Sequence, residues 1–446
     1  MQSNYIYKVF FISISLLLCL LCLSQFKNCN TEKLGLKKVD ILADVRKDTT
    51  TKKVVKVKKQ KVKDASGQIQ EIVPFEDFTE DKQGLKIFAE ALKDMQKDKT
   101  KIRIAFFGDS FIEGDMLTSD IRDTLQYIFG GSGVGFVPIT SPVAGFRSTI
   151  LHEFKNFESY SIVTKRALGI SLGIAGTCDI PLADNTLNYV IPYRNKVYSS
   201  FSTAQLFYQN KSNDTLQIHY NINDSNHAVK LERDNGLHVI NIKSKAARRL
   251  KFTFPVSPAL QLFGVSFENN TGIYLDNFGM RGNSGVGLGY IAENTYKEFQ
   301  HLRQYKLIVL QYGLNAMSEK DTNTLWYAKS MNNVIKRIKQ SFPDASILLL
   351  SVSDRSTKVN GKYVTIPSIY NFVNTQRSLA MQNKIMFWNM FEAMGGESTM
   401  AKWAQAKKPL ANKDFTHLTF RGGKQLATLF YKSLSNELNH YAKKKK

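Results

Sequence analysis

IRIAFFGDSFIEGD (residues 102–115) opens with an apolar run, Ile102 to Phe107, that reads as a buried β-strand. Gly108-Asp109 breaks the run and Ser110 follows at once. A serine on the turn after a buried parallel strand stands where α/β proteins keep their chemistry, at the carboxyl end of the sheet. The plainer reading is a strand–loop–helix junction with Ser110 as a helix N-cap.

Two distant segments bear on that choice. LIVLQYGLNAM (residues 307–317) is a second buried run that ends in Gly313-Leu314-Asn315. DFTHLTFRGGKQLA (residues 414–427) puts Asp414 and His417 just before an amphipathic helical pattern. A serine nucleophile needs a base to take its proton, a carboxylate to orient that base, and fixed donors facing the oxyanion. Ser110, His417, Asp414 and Asn315 fill those roles.

These blocks resemble, in order, those of the SGNH (GDSL-type) hydrolases. LDNFGMRGNSG (residues 275–285) supplies the remaining block: its N-x-G-x-x-G, Asn277 to Gly282, is similar to the family's glycine loop. The resemblance makes Gly282 an oxyanion-hole residue beside Ser110 and Asn315, with Ser110, Asp414 and His417 as catalytic triad. Ala316 stands where many members carry Asp, a residue outside the triad. FGGSGVGFVPI (129–139) and WNMFEAMGGESTMAKW (388–403) resemble the subgroup of periplasmic peptidoglycan and polysaccharide O-acetylesterases and O-acetyltransferases, some of which carry an inserted β-domain.

The expected fold class is α/β: a parallel-sheet, three-layer, flavodoxin-like SGNH domain interrupted by an all-β sandwich. Apolar runs at 306–312, 345–352 and 384–388 alternate with helical patterns at 324–341 and 368–383, which argues a parallel sheet with helices on both faces. Helical spacing over 84–98 aligns Leu85, Phe88, Leu92 and Met95 and suggests a helix over the sheet edge; residues 117–129 give another helix. From 151 to 268 short alternating runs such as TLQIHYNI and LKFTFPV, bounded by Asn, Asp, Gly and Pro, read as β-structure. Its aromatics, including Tyr189, Tyr193 and Tyr198, are more often core than sugar platforms. The expected organisation is a signal peptide or membrane anchor (1–24), a basic polar linker (25–72), the catalytic domain in two parts (73–150 and 269–440), the inserted carbohydrate-binding-like sandwich (151–268) and a lysine tail (441–446).

Composition fits an exported enzyme. The chain has 446 residues, 43% hydrophobic and 22% charged, which suffices for two globular domains. The net charge of +23 is concentrated in Lys52 to Lys63 and Lys443 to Lys446, without interleaved aromatics, so nucleic acid is not an expected partner. The apolar run from Val9 to Leu23 falls short of the roughly 20 residues of a spanning helix and suits a signal-peptide core, although the lysines beyond it oppose export by the positive-inside rule. Leu18, Leu21 and Asn28 precede Cys19, Cys22 and Cys29, which argues against a lipoprotein. Cys178 is the remaining cysteine, so neither a zinc site nor a disulfide framework is expected. No cofactor or metal is called for. The expected location is periplasmic, or tethered to the outer face of the inner membrane.

Three functions follow from the resemblance. One is a serine esterase that removes O-acetyl groups from a cell-envelope or other polysaccharide through an acyl-enzyme. Another is an O-acetyltransferase that works with an acetyl-exporting membrane partner. The third is a non-catalytic polysaccharide-binding protein.

Overall fold

The computed structural model describes residues 14–15, 59–63, 69–192, 200–319 and 322–443. It falls into two units, 1–51 and 52–446, and everything below concerns the second. All but residues 14–15 of the expected leader, together with Tyr193, Tyr198, Cys19, Cys22 and Cys29, lies outside the described residues.

Among the described residues a six-stranded sheet carries the catalytic blocks. Its strands run Gly272–Gly279, Lys101–Gly108, Tyr305–Gln311, Ser346–Leu350, Met386–Trp388 and Glu76–Asp77 across the sheet. The first five are mutually parallel, and Glu76–Asp77 closes the edge antiparallel. Ser346–Leu350 is buried at every position, as is most of Lys101–Gly108, so side chains of both parities are covered. That is why these strands read as continuous apolar runs.

Two groups of helices provide the cover. Lys86–Asp98, Thr118–Phe129 and Phe420–Lys443 form one group, and Glu293–Arg303, Leu325–Ser341 and Ser368–Asn383 the other. Lys86–Asp98 buries Phe88, Leu92 and Met95 as its spacing implies. It lies against Lys101–Gly108, Tyr305–Gln311 and Ser346–Leu350, which are interior strands, so it covers a face and not the expected edge.

The insertion's strands fall into two runs that meet at the single pair Leu262–Asp179: Ser225–Lys230, Gln217–Ile222, Arg249–Thr253, Thr177–Val190 and Leu151–Ser161 in one, and Leu260–Glu268, Phe201–Asn210 and Asp234–Ala247 in the other. They join one continuous nine-stranded antiparallel sheet, which also recruits Gly135–Val137 from the segment assigned to the catalytic domain. Register shifts at Lys155/Phe157, Leu262/Gly264 and Lys243/Ala247 bend the strands without breaking the ladder.

Gly135–Val137 and Leu260–Glu268, and most of Phe201–Asn210, are buried on both faces, and strand alternation sorts them. Val137, Leu206, Tyr208 and Leu262 belong to a core of the insertion's own. Their neighbours Phe136, Phe207 and Phe263 join the main core. Phe136 packs on Phe278 at 5.1 Å between ring centroids, and Phe207 on Phe299 at 5.3 Å. Buried Arg303 ties the two parts ionically, 2.7 Å from Glu268 of the insertion and 2.6 Å from Asp276 of the catalytic sheet. The insertion is therefore welded to the catalytic layer.

Two further departures concern the ends. A hairpin, Gln60–Lys63 with Ile69–Ile72, lies within the expected linker; its last residue, Ile72, is buried, as are Val73 and Phe75 after it. The last helix continues to Lys443, through part of the expected lysine tail, and the Leu85 backbone N–H donates to Tyr441 Oη at 3.1 Å.

Candidate active site

The parallel strands end level. Gly108 lies opposite Gly279 on one side and Gln311 on the other. Three loops therefore leave the sheet side by side: the first carries Ser110, the second Gly282 and the third Asn315.

The Ser110 turn is tightly built. Asp109 Oδ1 accepts the Phe111 N–H at 2.9 Å, and the Asp109 carbonyl accepts the Glu113 N–H at 3.1 Å. A 3-10 turn, Glu113–Asp115, precedes the helix that starts at Thr118, so Ser110 is not a helix N-cap. Buried Asp115 anchors this turn, 2.9 Å from both Arg122 and Arg147. Its burial favours the neutral acid, but the two guanidinium groups outweigh that and hold the carboxyl well below the usual range. The Asn277 amide nitrogen lies 2.7 Å from the Ile112 carbonyl oxygen, 2.7 Å from Thr118 Oγ1 and 2.9 Å from Asp115 Oδ1, so its two hydrogens are shared among three acceptors. The asparagine of the N-x-G-x-x-G block thus ties the glycine-loop strand to the serine loop.

His417 reaches the same place from the other end of the chain. Its Nε2 lies 3.0 Å from Ser110 Oγ and its Nδ1 2.7 Å from Asp414 Oδ2. Asp414 Oδ1 also accepts the backbone N–H groups of Thr416 and His417, each at 3.0 Å. Partial burial pushes the Asp414 carboxyl up, but the hydrogen bonds from His417 and Thr416 prevail and hold it below its ordinary value. An ionised Asp414 only accepts, so Nδ1 carries the ring proton and Nε2 is left to accept from Ser110. The Asp–His–Ser chain is complete in the resting molecule, with both Asp414 and His417 about half exposed.

The glycine pair Gly422-Gly423 makes this meeting possible, and the sequence reading attached no role to it. A Cβ on Gly422 would collide with the Leu410 carbonyl, next to the His417 loop. A Cβ on Gly423 would collide with the Met116 carbonyl, just beyond the Ser110 turn. Only glycine lets the last helix come this close to both backbones. Thr419 Oγ1 accepts the Gly422 N–H at 3.2 Å and so caps the helix start.

The expected oxyanion donors sit on the neighbouring loops. Asn315 is exposed and donates one amide hydrogen to the Asn283 carbonyl at 3.1 Å. That bond orients the amide and leaves its second hydrogen available. Gly282 has φ 76°, in the left-handed region that a side chain disfavours.

No protein-family model matches this chain, and neither does any curated protein sequence. A solved structure of a peptidoglycan O-acetylesterase superposes with a TM-score of 0.66 at 20% identity, covering 82% of this chain and 99% of that one. This is the SGNH-hydrolase fold. An acetyl xylan esterase (TM-score 0.29, 17% identity, 36% of this chain and 81% of that one) and a family two carbohydrate esterase from Cellvibrio japonicus (TM-score 0.27, 9% identity, 64% and 99%) also align, at scores too low to bear on the fold. The coverage of the first neighbour means that the SGNH likeness includes most of the insertion as well as the catalytic sheet.

Proposed function

We propose that this protein is a serine esterase that removes O-acetyl groups from a polysaccharide of the cell envelope, with Ser110, His417 and Asp414 as triad. The observation that carries the reading is the continuous Asp414–His417–Ser110 hydrogen-bond chain at the level carboxyl ends of three adjacent strands. The peptidoglycan O-acetylesterase neighbour supports the choice of an acetylated glycan.

Ser110 Oγ attacks the acetyl carbonyl while its proton passes to His417 Nε2. The oxyanion is received by the Ser110 and Gly282 backbone N–H groups and the free hydrogen of the Asn315 amide; one such donor is typically worth about 10²–10³ in rate. The ester C–O bond breaks, and the sugar oxygen takes the proton from Nε2. Water then attacks the acetyl-serine, gives its proton to Nε2, and acetate leaves as Ser110 recovers that proton. Asp414 stays ionised throughout and stabilises the imidazolium.

The test is acetate release from an O-acetylated glycan and from an activated acetyl ester, by the purified protein and by Ser110→Ala. The variant should fall to background on both while keeping its thermal unfolding midpoint. Undiminished release by Ser110→Ala would refute the assignment. An exported location remains part of this proposal, on the strength of the apolar stretch Val9 to Leu23.

A further inference from the structure

Phe146 and Phe420 stack on one another at the surface. Their ring centroids are 5.3 Å apart and their planes 23° from parallel, yet Phe146 is 56% exposed and Phe420 44%. Phe146 ends the 3-10 turn Ala144–Phe146. Its Cδ1 lies 3.5 Å from where a Cβ on Gly114 would stand, in the turn that follows Ser110. Phe420 opens the last helix, three residues after His417. The pair therefore bridges the serine turn and the helix that follows the catalytic histidine. Single apolar residues on a surface need no explanation, but two stacked rings form a patch.

The chain around this pair is cationic. Residues 402–424 carry five lysines and one arginine against a single acid, Asp414, which is engaged by His417. The segment folds back on itself. The Asn412 N–H donates to the His417 carbonyl at 2.8 Å, the Thr419 N–H to the Leu410 carbonyl at 3.0 Å, and Thr419 Oγ1 to the Pro409 carbonyl at 3.0 Å. The stretch with Lys408 and Lys413 thus runs beside the stretch with His417, Phe420 and Arg421. Lys408, Lys413 and Arg421 are exposed, and among the described residues none of the three is in an ion pair. Lys424, one turn further on, has Asp120 as a neighbour and is left out of this group.

Apolar surface and free charge together narrow the ligand. A pyranose presents a face of C–H bonds, which packs against the electron-rich face of an aromatic ring while its hydroxyl edge stays in water. Like charges gathered without counter-charges repel, and a polymer of opposite sign relieves that repulsion. Each exposed contact of this kind is weak, so the effect accumulates over a polymer with repeated charges. Rings and cations adjoin at Phe420 and Arg421, and a sugar ring that bears a carboxylate satisfies both.

We propose that the Phe146–Phe420 stack is a platform for a pyranose ring of an acidic glycan, whose carboxylates are received by Lys408, Lys413 and Arg421. The inference rests on the polysaccharide reading above and narrows that polymer to one of negative charge. It makes Phe146 and Phe420 positioning residues and places the polymer on the last-helix side of Ser110.

Titration calorimetry on full-length Ser110→Ala protein tests this apart from catalysis, and failure of the esterase reading would leave the affinities untouched. The probes are tetragalacturonate and the neutral xylotetraose, each at low and at high salt. Tetragalacturonate should bind at least about tenfold more tightly than xylotetraose, equivalent to about 1.4 kcal/mol, and added salt should weaken it. Phe420→Ala and Phe146→Ala should each raise its Kd at least about tenfold. Both rings are exposed, so neither variant should shift the thermal unfolding midpoint. Arg421→Gln should raise Kd about threefold and reduce the salt dependence. No binding of tetragalacturonate, equal affinity for the two tetramers, or affinities indifferent to both phenylalanine substitutions would overturn the proposal.

Discussion

Gly423, in the first turn of the last helix, lies so close to the Met116 carbonyl that no side chain fits between them. This contact sets the distance between the segment bearing His417 and the segment bearing Ser110, which stand 307 residues apart in the chain.

Gly423→Ala should reverse the usual helix rule. In an exposed helix, replacing glycine with alanine stabilises by about 1 kcal/mol. Here the methyl group would push the helix from the Met116 backbone, so the variant should be less stable and turn over acetyl esters at least about tenfold more slowly. Urea unfolding and kcat measured together check it; a stabilised, fully active variant would show that the contact is slack.

Asn315→Ala should lower kcat by roughly 10²-fold with little change in KM, because its free amide hydrogen acts on charge that develops in the transition state. Asn283 offers the contrast, since it only holds that amide through its backbone carbonyl. Steady-state kinetics on an activated acetyl ester decides. A rise in KM alone would mean that Asn315 binds the ground state.

Asp109 makes stability depend on pH. Burial pushes its carboxyl up to about 7, against the hydrogen bond from Phe111 N–H and the attraction of His417. A carboxyl with a raised native pKa gives the native state more bound protons than the unfolded one, so stability falls as pH rises from about 4 through about 7. Asp109→Asn should flatten the curve of denaturation midpoint against pH over that window. An unchanged slope would show that Asp109 is ionised throughout.

The insertion should not be removable. The alternating strands of 151–268 read in sequence as an inserted domain distinct from the catalytic layer. The structure points the other way: Phe136 and Phe299 would lose Phe207, and buried Arg303 would lose Glu268. Arg303 would keep Asp276 as its carboxylate, so its loss is smaller than the roughly 3–5 kcal/mol of a buried charge left unpaired, but the exposed aromatic faces add to it. A chain lacking residues 151–268 should be insoluble or unfolded by circular dichroism, and a folded, active deletion variant would restore the modular view.

Much of the catalytic layer was legible because its signals are local. Ile102–Phe107, Leu307–Gln311 and Ser346–Leu350 announce buried strands by continuous apolar runs, and Leu85, Phe88, Leu92 and Met95 announce a helix by spacing. That Ser110, His417 and Asp414 come together was legible because each sits beside a strand end or a helix start. What escaped depends on pairing between distant segments. Gly135–Val137 is too short to show alternation, and its strand character comes from Leu260–Glu268. The Asp115–Arg122–Arg147–Asn277 network and the close approach of Gly422-Gly423 join residues with no common motif.

The central claim is that His417 activates Ser110, and labelling with a serine-directed fluorophosphonate followed by peptide mapping tests it most directly. In the native protein Ser110 alone should be modified, and His417→Ala should slow the labelling at least about 10³-fold. Labelling at another residue, or equal rates in the two proteins, would contradict it.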